Sequence, residues 1–219
     1  MKITDFNKGI ISSSLGSFWW GFIGTYYFQY ITFVGTIEVV VHRCIWTCLM
    51  LLITTTFFNK WNLLKKIVFD KKKLLTLLIT SILIFGNWSI WIYAVATNRI
   101  IDASFGYFIF PIISVFFGFL FFNEKLNKKR IISISLVIIS TIYLFFNLNS
   151  FPWIGFSVAF LWSIYNLLRK KINVDTDIGL FIESLFIFPI AIVIFYFIFQ
   201  NNMNDFSLSN PSLMTLLIL

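Results

Sequence analysis

Long apolar blocks alternate with short polar breaks along the chain. The blocks are about 20 residues long, the length that an α-helix needs to cross the ~30 Å hydrocarbon core of a bilayer. The pattern therefore predicts an all-α membrane protein, a polytopic helical bundle with seven complete spans and the start of an eighth. The predicted spans are 9–30, 36–58, 74–96, 103–122, 130–147, 151–168 and 178–199, and the eighth begins near Pro211.

The composition agrees with this interpretation. Hydrophobic residues make up 59% of the 219 residues and charged residues only 12%, about half the share found in soluble domains. Cys44 and Cys48 lie four residues apart within one apolar block, which argues against a disulfide framework. His42 faces away from Cys44 on a helix, so neither a metal nor another cofactor is expected.

The basic residues are predicted to lie on one side of the membrane. The net charge is +8, and all but Arg43 and Arg99 of the 17 basic residues fall at the N-terminus or in the second, fourth and sixth connections. By the positive-inside rule this distribution predicts a cytoplasmic N-terminus. Because the excess charge follows the topology, we expect the lipid bilayer, and not nucleic acid, as the partner.

Two short matches indicate an internal repeat. SFWWG at 17–21 resembles AFLWS at 159–163, and the span after each carries a single glutamate, Glu38 or Glu183. The first and sixth spans run in opposite directions, as in the inverted repeats of secondary transporters. We therefore predict two inverted five-helix repeats, residues 1–147 and an incomplete 148–219, with about seven and a half of ten expected spans present.

Ionisable side chains interrupt the second span in EVVVHRCIW, residues 38–46. On a helix, Glu38, His42, Arg43 and Trp46 lie within an arc of roughly 140°. Ionisable groups at membrane depth are usually paired or in contact with water. A carboxylate near a helix N-terminus also offsets the helix dipole, so capping is the alternative for Glu38 and Glu183. For His42 and Arg43 the alternatives are a structural ion pair with Glu38 and contact with a solute or proton.

Further candidates lie in GNWSIWIYAV (86–95) and DASFGYFIFP (102–111). Asn87 lies in mid-span beside Trp88, where its amide either bridges two helices or contacts a solute. Asp102 is predicted to cap the fourth span, and Pro111 leaves the Tyr107 carbonyl without its usual helical donor. The predicted substrate-binding residues are Glu38, His42, Arg43, Trp46, Asn87, Trp88, Tyr107 and Glu183.

These stretches, together with YNLLRKKI (165–172) and IESLFIFP (182–189), carry a family resemblance. The chain resembles the RarD group of EamA-type permeases over nearly its whole length. The resemblance implies ten helices in two inverted halves around a central cavity, in a carrier of the bacterial-type inner (plasma) membrane, and a chain that is a truncated version of it. Asn123 stands where the family usually has glycine, which leaves the turn at that position open.

The function expected from these features is that of an integral membrane secondary transporter, a permease or exporter for a small metabolite or drug-like solute. Protons are the candidate coupling ion, through Glu38 and His42, because imidazole titrates near neutral pH. The chain contains no G-x-x-x-x-G-K-[ST] motif that would indicate an ATP-driven pump.

The alternative is a membrane protein that does not transport. An external N-terminus would favour a receptor. An intramembrane enzyme is not expected, since the sequence contains neither H-E-x-x-H nor G-x-S-x-G. A homodimer is left open.

Overall fold

A computed structural model describes residues 5–148, 150–206 and 211–218, and the regular structure in these ranges is helical. The first helical stretch consists of α1 (Asp5–Phe18), a π-helical segment (Trp19–Gly24) and α2 (Thr25–Tyr30). The helices that follow are α3 (Thr36–Phe57), α4 (Trp61–Val68), α5 (Lys71–Ala96), α6 (Ile100–Phe122), α7 (Lys128–Phe146), α8 (Trp153–Ile172), α9 (Thr176–Gln200) and α10 (Pro211–Ile218). Lys2 and the residues 207–210 between the seventh and eighth predicted spans lie outside the described ranges.

Five of these helices are long and apolar enough to cross a membrane, namely α3, α5, α6, α7 and α9. They coincide with five of the predicted spans. The predicted spans 9–30 and 151–168 are also helical, but the π-helical segment divides the first, and basic residues occupy the last turn of α8. The fold is that of a polytopic helical membrane protein.

Asparagines end several of the helices. Asn59, Asn98, Asn123, Asn173 and Asn202 have φ angles between 44° and 57° and lie just after α3, α5, α6, α8 and α9. Apart from glycine, asparagine tolerates this left-handed conformation best, because its short polar side chain can hydrogen-bond locally. Asn123, where the resembling family usually has glycine, thus adopts a left-handed conformation that glycine also adopts readily.

Two boundaries differ from those predicted. Helix α6 begins at Ile100, so Asp102 lies in its first turn and does not cap it. The Asp102 carboxylate instead accepts a hydrogen bond from Arg99 Nε at 2.9 Å, and this pairing stabilises an earlier helix start. The connection between α3 and α5 contains the additional helix α4, which buries Ile67 and leaves Lys65 and Lys66 exposed.

The helices pack as antiparallel and parallel pairs. Helix α3 packs against α9, α8 packs between α5 and α6, and α7 lies at the edge against α6. Helices α3, α6 and α8 end where α5, α7 and α9 begin. This end of the bundle, formed by residues 57–73, 122–130 and 169–177, carries most of the basic side chains and is called the basic end. Residues 31–35, 97–99, 147–148, 150–152 and 201–206 form the opposite end.

Glycines bring α6 and α8 into backbone contact. A Cβ atom added at Gly106 would lie 2.5 Å from the Gly155 carbonyl oxygen, and one added at Gly155 would lie 2.5 Å from the Asp102 carbonyl oxygen. Small residues allow this approach between membrane helices, where packing replaces the hydrophobic effect as the main attraction. The Gly106–Gly155 contact therefore fixes how close α8 lies to α6.

We expect Gly106→Ala to destabilise the protein by about 1–3 kcal/mol, because the new methyl group overlaps rigid backbone. Gly86→Ala is the matched control, since its Cβ would lie 3.6 Å from the flexible Leu161 side chain. Both variants replace a helical glycine by the better helix former. Thermal unfolding of the purified protein in detergent measures the difference, and equal stability of the two variants would contradict the packing argument.

Candidate functional site

A cavity of about 450 Å³ lies between the π-helical segment and helices α2, α3, α5, α6, α8 and α9. Aromatic side chains form much of its wall, and a few polar groups interrupt them. The aromatic residues are Trp20, Phe28, Trp88, Trp91, Tyr107, Trp162 and Tyr165, and the polar residues are Arg43, Asn87, Asn166 and Thr176. Because Thr176 begins α9, the cavity extends to the basic end.

Arg43 of α3 is surrounded by aromatic rings. Its guanidinium carbon lies 4.5 Å from the ring centroid of Trp88, 5.2 Å from that of Trp20 and 5.4 Å from that of Phe28. Its Nε atom is buried and makes no hydrogen bond. Among the residues that the structure describes, no carboxylate forms an ion pair with it. Arg43 is thus a largely covered cation held by ring faces.

Ring faces compensate a buried charge only in part. Taking an ion out of water costs several kcal/mol in a protein interior, whereas a cation–π contact returns about 0.5–2 kcal/mol. An unpaired guanidinium in the cavity wall therefore attracts an anion or ordered water. Arg43 lines this cavity, and it also lines a neighbouring cleft between α2, α3 and α10.

Polar groups near Arg43 are held in position by neighbouring helices. The Tyr107 hydroxyl of α6 accepts a hydrogen bond from Trp20 Nε1 at 3.1 Å. Asn87 Nδ2 of α5 donates to the Val158 carbonyl of α8 at 3.1 Å, which is the bridging role considered for this residue. Trp20 thus links the cage around Arg43 to Tyr107, and Asn87 fastens α5 to α8.

Glu38 and His42 of α3 lie outside the cavity wall, towards the opposite end. The buried Glu38 carboxylate accepts hydrogen bonds from the backbone N–H groups of Asp205 and Phe206, both at 2.8 Å. His42 Nε2 lies 3.7 Å from Glu38 Oε1, and His42 Nδ1 accepts a hydrogen bond from Trp46 Nε1 at 3.2 Å. With Nδ1 as acceptor, a proton on Nε2 is directed at Glu38. This group clasps the segment after α9 onto the start of α3.

The four candidates of EVVVHRCIW thus occupy different environments. Glu38 and His42 face α9 and the segment after it, and His42 packs against the rings of Phe195 and Phe206. Arg43 faces the cavity. Trp46 does not line the cavity but a separate cleft of about 600 Å³ between α2, α3 and α10, and Arg43 lines both.

Glu183 of α9 forms a second buried cluster, nearer the basic end. Its carboxylate accepts hydrogen bonds from Thr80 Oγ1 at 2.6 Å and from the Tyr165 hydroxyl at 3.1 Å. Arg169 Nε of α8 lies 3.6 Å from the same carboxylate. Gly179 leaves the room for this arginine, because a Cβ atom there would overlap the guanidinium group. Glu183 therefore joins α5, α8 and α9.

The α8 part of these sites is missing from the predicted residues. Trp162, Tyr165, Asn166 and Arg169 follow one another at the i, i+3, i+4, i+7 spacing of a helix face. Arg169 was assigned to the basic connection, because it precedes two lysines. The periodic stripe was the signal that could have separated it from those lysines. Thr80 has no such signal, since hydroxyl residues are common in membrane helices.

Exposed ion pairs reinforce the basic end. Lys60, before α4, bonds Asp177 at the start of α9 at 2.5 Å, and this bond raises the Lys60 pKa. Glu124, after α6, pairs with Lys170 of α8, and the donated hydrogen bond lowers the Glu124 pKa. The first pair connects the turn before α4 to the start of α9, and the second connects the turn after α6 to the end of α8.

We expect Glu183→Ala to destabilise the protein by about 3–5 kcal/mol, because it leaves Arg169 buried without its counter-ion. Glu124→Ala is the control, since it removes a carboxylate from an exposed pair at the same end. Unfolding of the two purified variants under identical detergent conditions gives the comparison. A loss of stability at Glu183 no greater than that at Glu124 would show that the buried cluster is not a structural joint.

Comparison with known proteins finds a transporter family and several related bacterial proteins. Residues 7–146 match the EamA-like transporter family. An "Uncharacterized transporter" of Vibrio cholerae is 32% identical over 98% of this chain and 70% of its own length. "Protein RarD" of Escherichia coli is 29% identical over 100% and 73%, and "Uncharacterized transporter YojE" of Bacillus subtilis is 31% identical over 88% and 65%. No solved structure matches the chain.

The family match covers more than half of the chain, and the relatives align along nearly all of it. The RarD-type resemblance that the sequence motifs carried is therefore confirmed. This chain belongs to the EamA-like transporter family, as a RarD-type permease.

Proposed function

We propose that the protein is a secondary permease that moves a small metabolite or drug-like solute through the cavity between α3, α5, α6, α8 and α9. The observation that carries this proposal is the cavity itself. Its volume of about 450 Å³ lies in the range of small-molecule sites, and it combines an apolar, aromatic wall with a few fixed polar groups. Arg43, Asn87, Trp88 and Tyr107 would contact the solute directly.

The proposed orientation places the basic end in the cytoplasm and the chain in the inner membrane. The positive-inside rule supports this choice, because the connections at the opposite end carry Arg99 as their one basic residue, and Asp102 neutralises it. Two inverted halves, residues 1–147 and 148–219, remain the proposed organisation. The family match over residues 7–146 supports the first of these halves.

The two glutamates would act at opposite closures of the pathway. Glu38 clasps residues 205 and 206 at one end, and Glu183 with Arg169 joins α8 and α9 towards the other. Alternating access requires one closure to open while the other holds. Two separate carboxylate clasps, each on a different helix, provide for such an exchange. In this mechanism Glu38, His42, Trp46 and Glu183 affect transport through the closures.

The family assignment favours transport over a receptor or an intramembrane enzyme. No arrangement of side chains in the described ranges specifically supports either of those alternatives.

We expect proteoliposomes containing the protein to move a member of a metabolite and drug panel without ATP. In Trp162→Ala the flux should fall by about tenfold, the size of effect expected when a large aromatic contact is lost from a binding site. Trp153→Ala is the matched control, because Trp153 lies on the same helix but packs against Tyr93 and Arg99 away from the cavity. Equal losses in both variants, or no flux above that of empty liposomes, would contradict the proposal.

Proton coupling through Glu38 and His42 makes a separate prediction. Protonation turns one Glu38 oxygen from an acceptor into a donor, which weakens the clasp on residues 205 and 206. We therefore expect Glu38→Gln to abolish the stimulation of flux by a pH gradient while flux down a solute gradient persists. Glu124→Gln, at the basic end, should keep the stimulation. A pH response unchanged in Glu38→Gln would exclude this coupling role.

A further inference from the structure

We infer that the cavity selects solutes carrying one negative charge on an apolar, ring-bearing body, and that Arg43 is the residue that reads the charge. This inference rests on the proposed function, since it names the class of solute that would occupy the cavity. The evidence is the charge balance of the cavity wall, the free donors around Arg43 and the shape of the aromatic cage.

The charge balance of the wall is positive. Arg43 lines the cavity, and among the described residues none of the lining side chains is a carboxylate. The buried glutamates are committed elsewhere, Glu38 to the backbone of residues 205 and 206 and Glu183 to Thr80, Tyr165 and Arg169. A cationic solute would therefore meet an uncompensated like charge, whereas a monoanion would supply the missing counter-ion.

Two side chains of the cavity wall have hydrogen-bond donors left over. The Arg43 guanidinium makes no hydrogen bond with the described residues; its Nε atom is buried, so a solute would reach the terminal nitrogens of the group. The Tyr107 hydroxyl accepts a hydrogen bond from Trp20 and donates none to the described side chains and backbone, so its own proton is free for a solute. A carboxylate can accept from a guanidinium and a hydroxyl together, and charged hydrogen bonds of this kind are the strong ones.

The rings around Arg43 determine which uncharged part of a solute would fit the cavity. Trp20, Phe28 and Trp88 cover the guanidinium, and Trp91 packs against both Trp20 and Phe28 with ring centroids 5.1 Å apart in each case. The cavity of about 450 Å³ is far larger than a simple inorganic ion needs. An apolar ring can stack in this space while its carboxylate reaches Arg43.

An anionic lipid is the competing source of the same charge. Arg43 also lines the cleft between α2, α3 and α10, which faces the bundle surface. A lipid phosphate could approach from there. The aromatic cavity on the other side favours the soluble solute, and the experiment separates the two sources.

The test measures binding, without flux, to three matched series: benzoate, benzamide and benzylamine; indole-acetate, indole-acetamide and tryptamine; naphthoate, naphthamide and naphthylmethylamine. The protein is held in nanodiscs of phosphatidylcholine, and titration calorimetry reports affinity. In at least one series we expect the carboxylate to bind about tenfold or more tightly than its neutral and cationic partners, as one charged hydrogen-bonded contact implies. Equal or reversed affinity, or binding of none of the nine compounds, would overturn the inference.

Three variants assign the effect to Arg43. Arg43→Gln should remove the preference for the carboxylate, and Arg43→Lys should keep part of it. Arg99→Gln removes an arginine that pairs with Asp102 away from the cavity, so it should keep the full preference. If Arg43→Gln does not fold, Tyr107→Phe still tests the site, because the lost hydroxyl should weaken binding of the carboxylate more than that of the amide, whose hydrogen bond is the weaker one. A preference that survives both cavity variants would contradict the inference.

Adding phosphatidylglycerol to the nanodiscs tests the lipid alternative. Unchanged carboxylate affinity supports a soluble solute, and loss of binding identifies an anionic lipid as the occupant and overturns the inference. Flux of a neutral or cationic solute that is indifferent to Arg43→Gln would leave the permease function standing and exclude the anion class. Selective carboxylate binding without any flux would instead leave the site standing and exclude the permease function.

Discussion

The cost of removing an ionised side chain from water governs how the charged groups of this bundle are arranged, both where helices are joined and where the cavity lies. Each buried glutamate is matched by donors from a different helix or segment: Glu38 by the backbone of residues 205 and 206, and Glu183 by Thr80, Tyr165 and Arg169. An unmatched carboxylate in an apolar interior would cost several kcal/mol. The clasps are therefore where the packing of the helices is most strongly specified.

The cavity wall follows the opposite design. Arg43 has ring faces where the glutamates have hydrogen-bond donors, so its charge is shielded from lipid but not neutralised. The close contact of Gly106 with Gly155 sets the distance between α6 and α8. It thereby places Tyr107 and the Trp162–Tyr165 face of α8 on two sides of one space. Backbone contact at the glycines thus shapes a cavity that begins deeper in the bundle.

Under the proposed function these two features would belong to one transport cycle. The two clasps would close the ends of the pathway in turn, and the partly compensated Arg43 would lie in the aromatic space between them. Secondary transporters of inverted-repeat architecture bind their substrates near the bilayer midplane, between helices that move relative to one another. Membership of the EamA-like transporter family agrees with this arrangement. The chemistry of the site then reduces to one question, namely what negative group completes the environment of Arg43.

The sequence by itself determined the class of the protein. Apolar blocks of bilayer length and basic connections were enough to predict a helical membrane protein, because hydrocarbon imposes length and charge directly on the chain. The motifs EVVVHRCIW, GNWSIWIYAV and DASFGYFIFP carried the resemblance to its family. Four of the predicted residues, Arg43, Asn87, Trp88 and Tyr107, line the cavity, and their contact with a solute stays a prediction.

Only the tertiary structure decided how the polar groups are divided. On an isolated helix Glu38 and Arg43 share an arc, yet Glu38 is used by a segment that lies 167 residues further along the chain, and Arg43 faces the cavity. In the sequence Arg169 belongs to a basic connection. In the structure it pairs with Glu183 and occupies the space that Gly179 leaves free. Periodicity reports the direction of a side chain from its own helix axis. The group that a side chain contacts in that direction is determined by the packing of other helices.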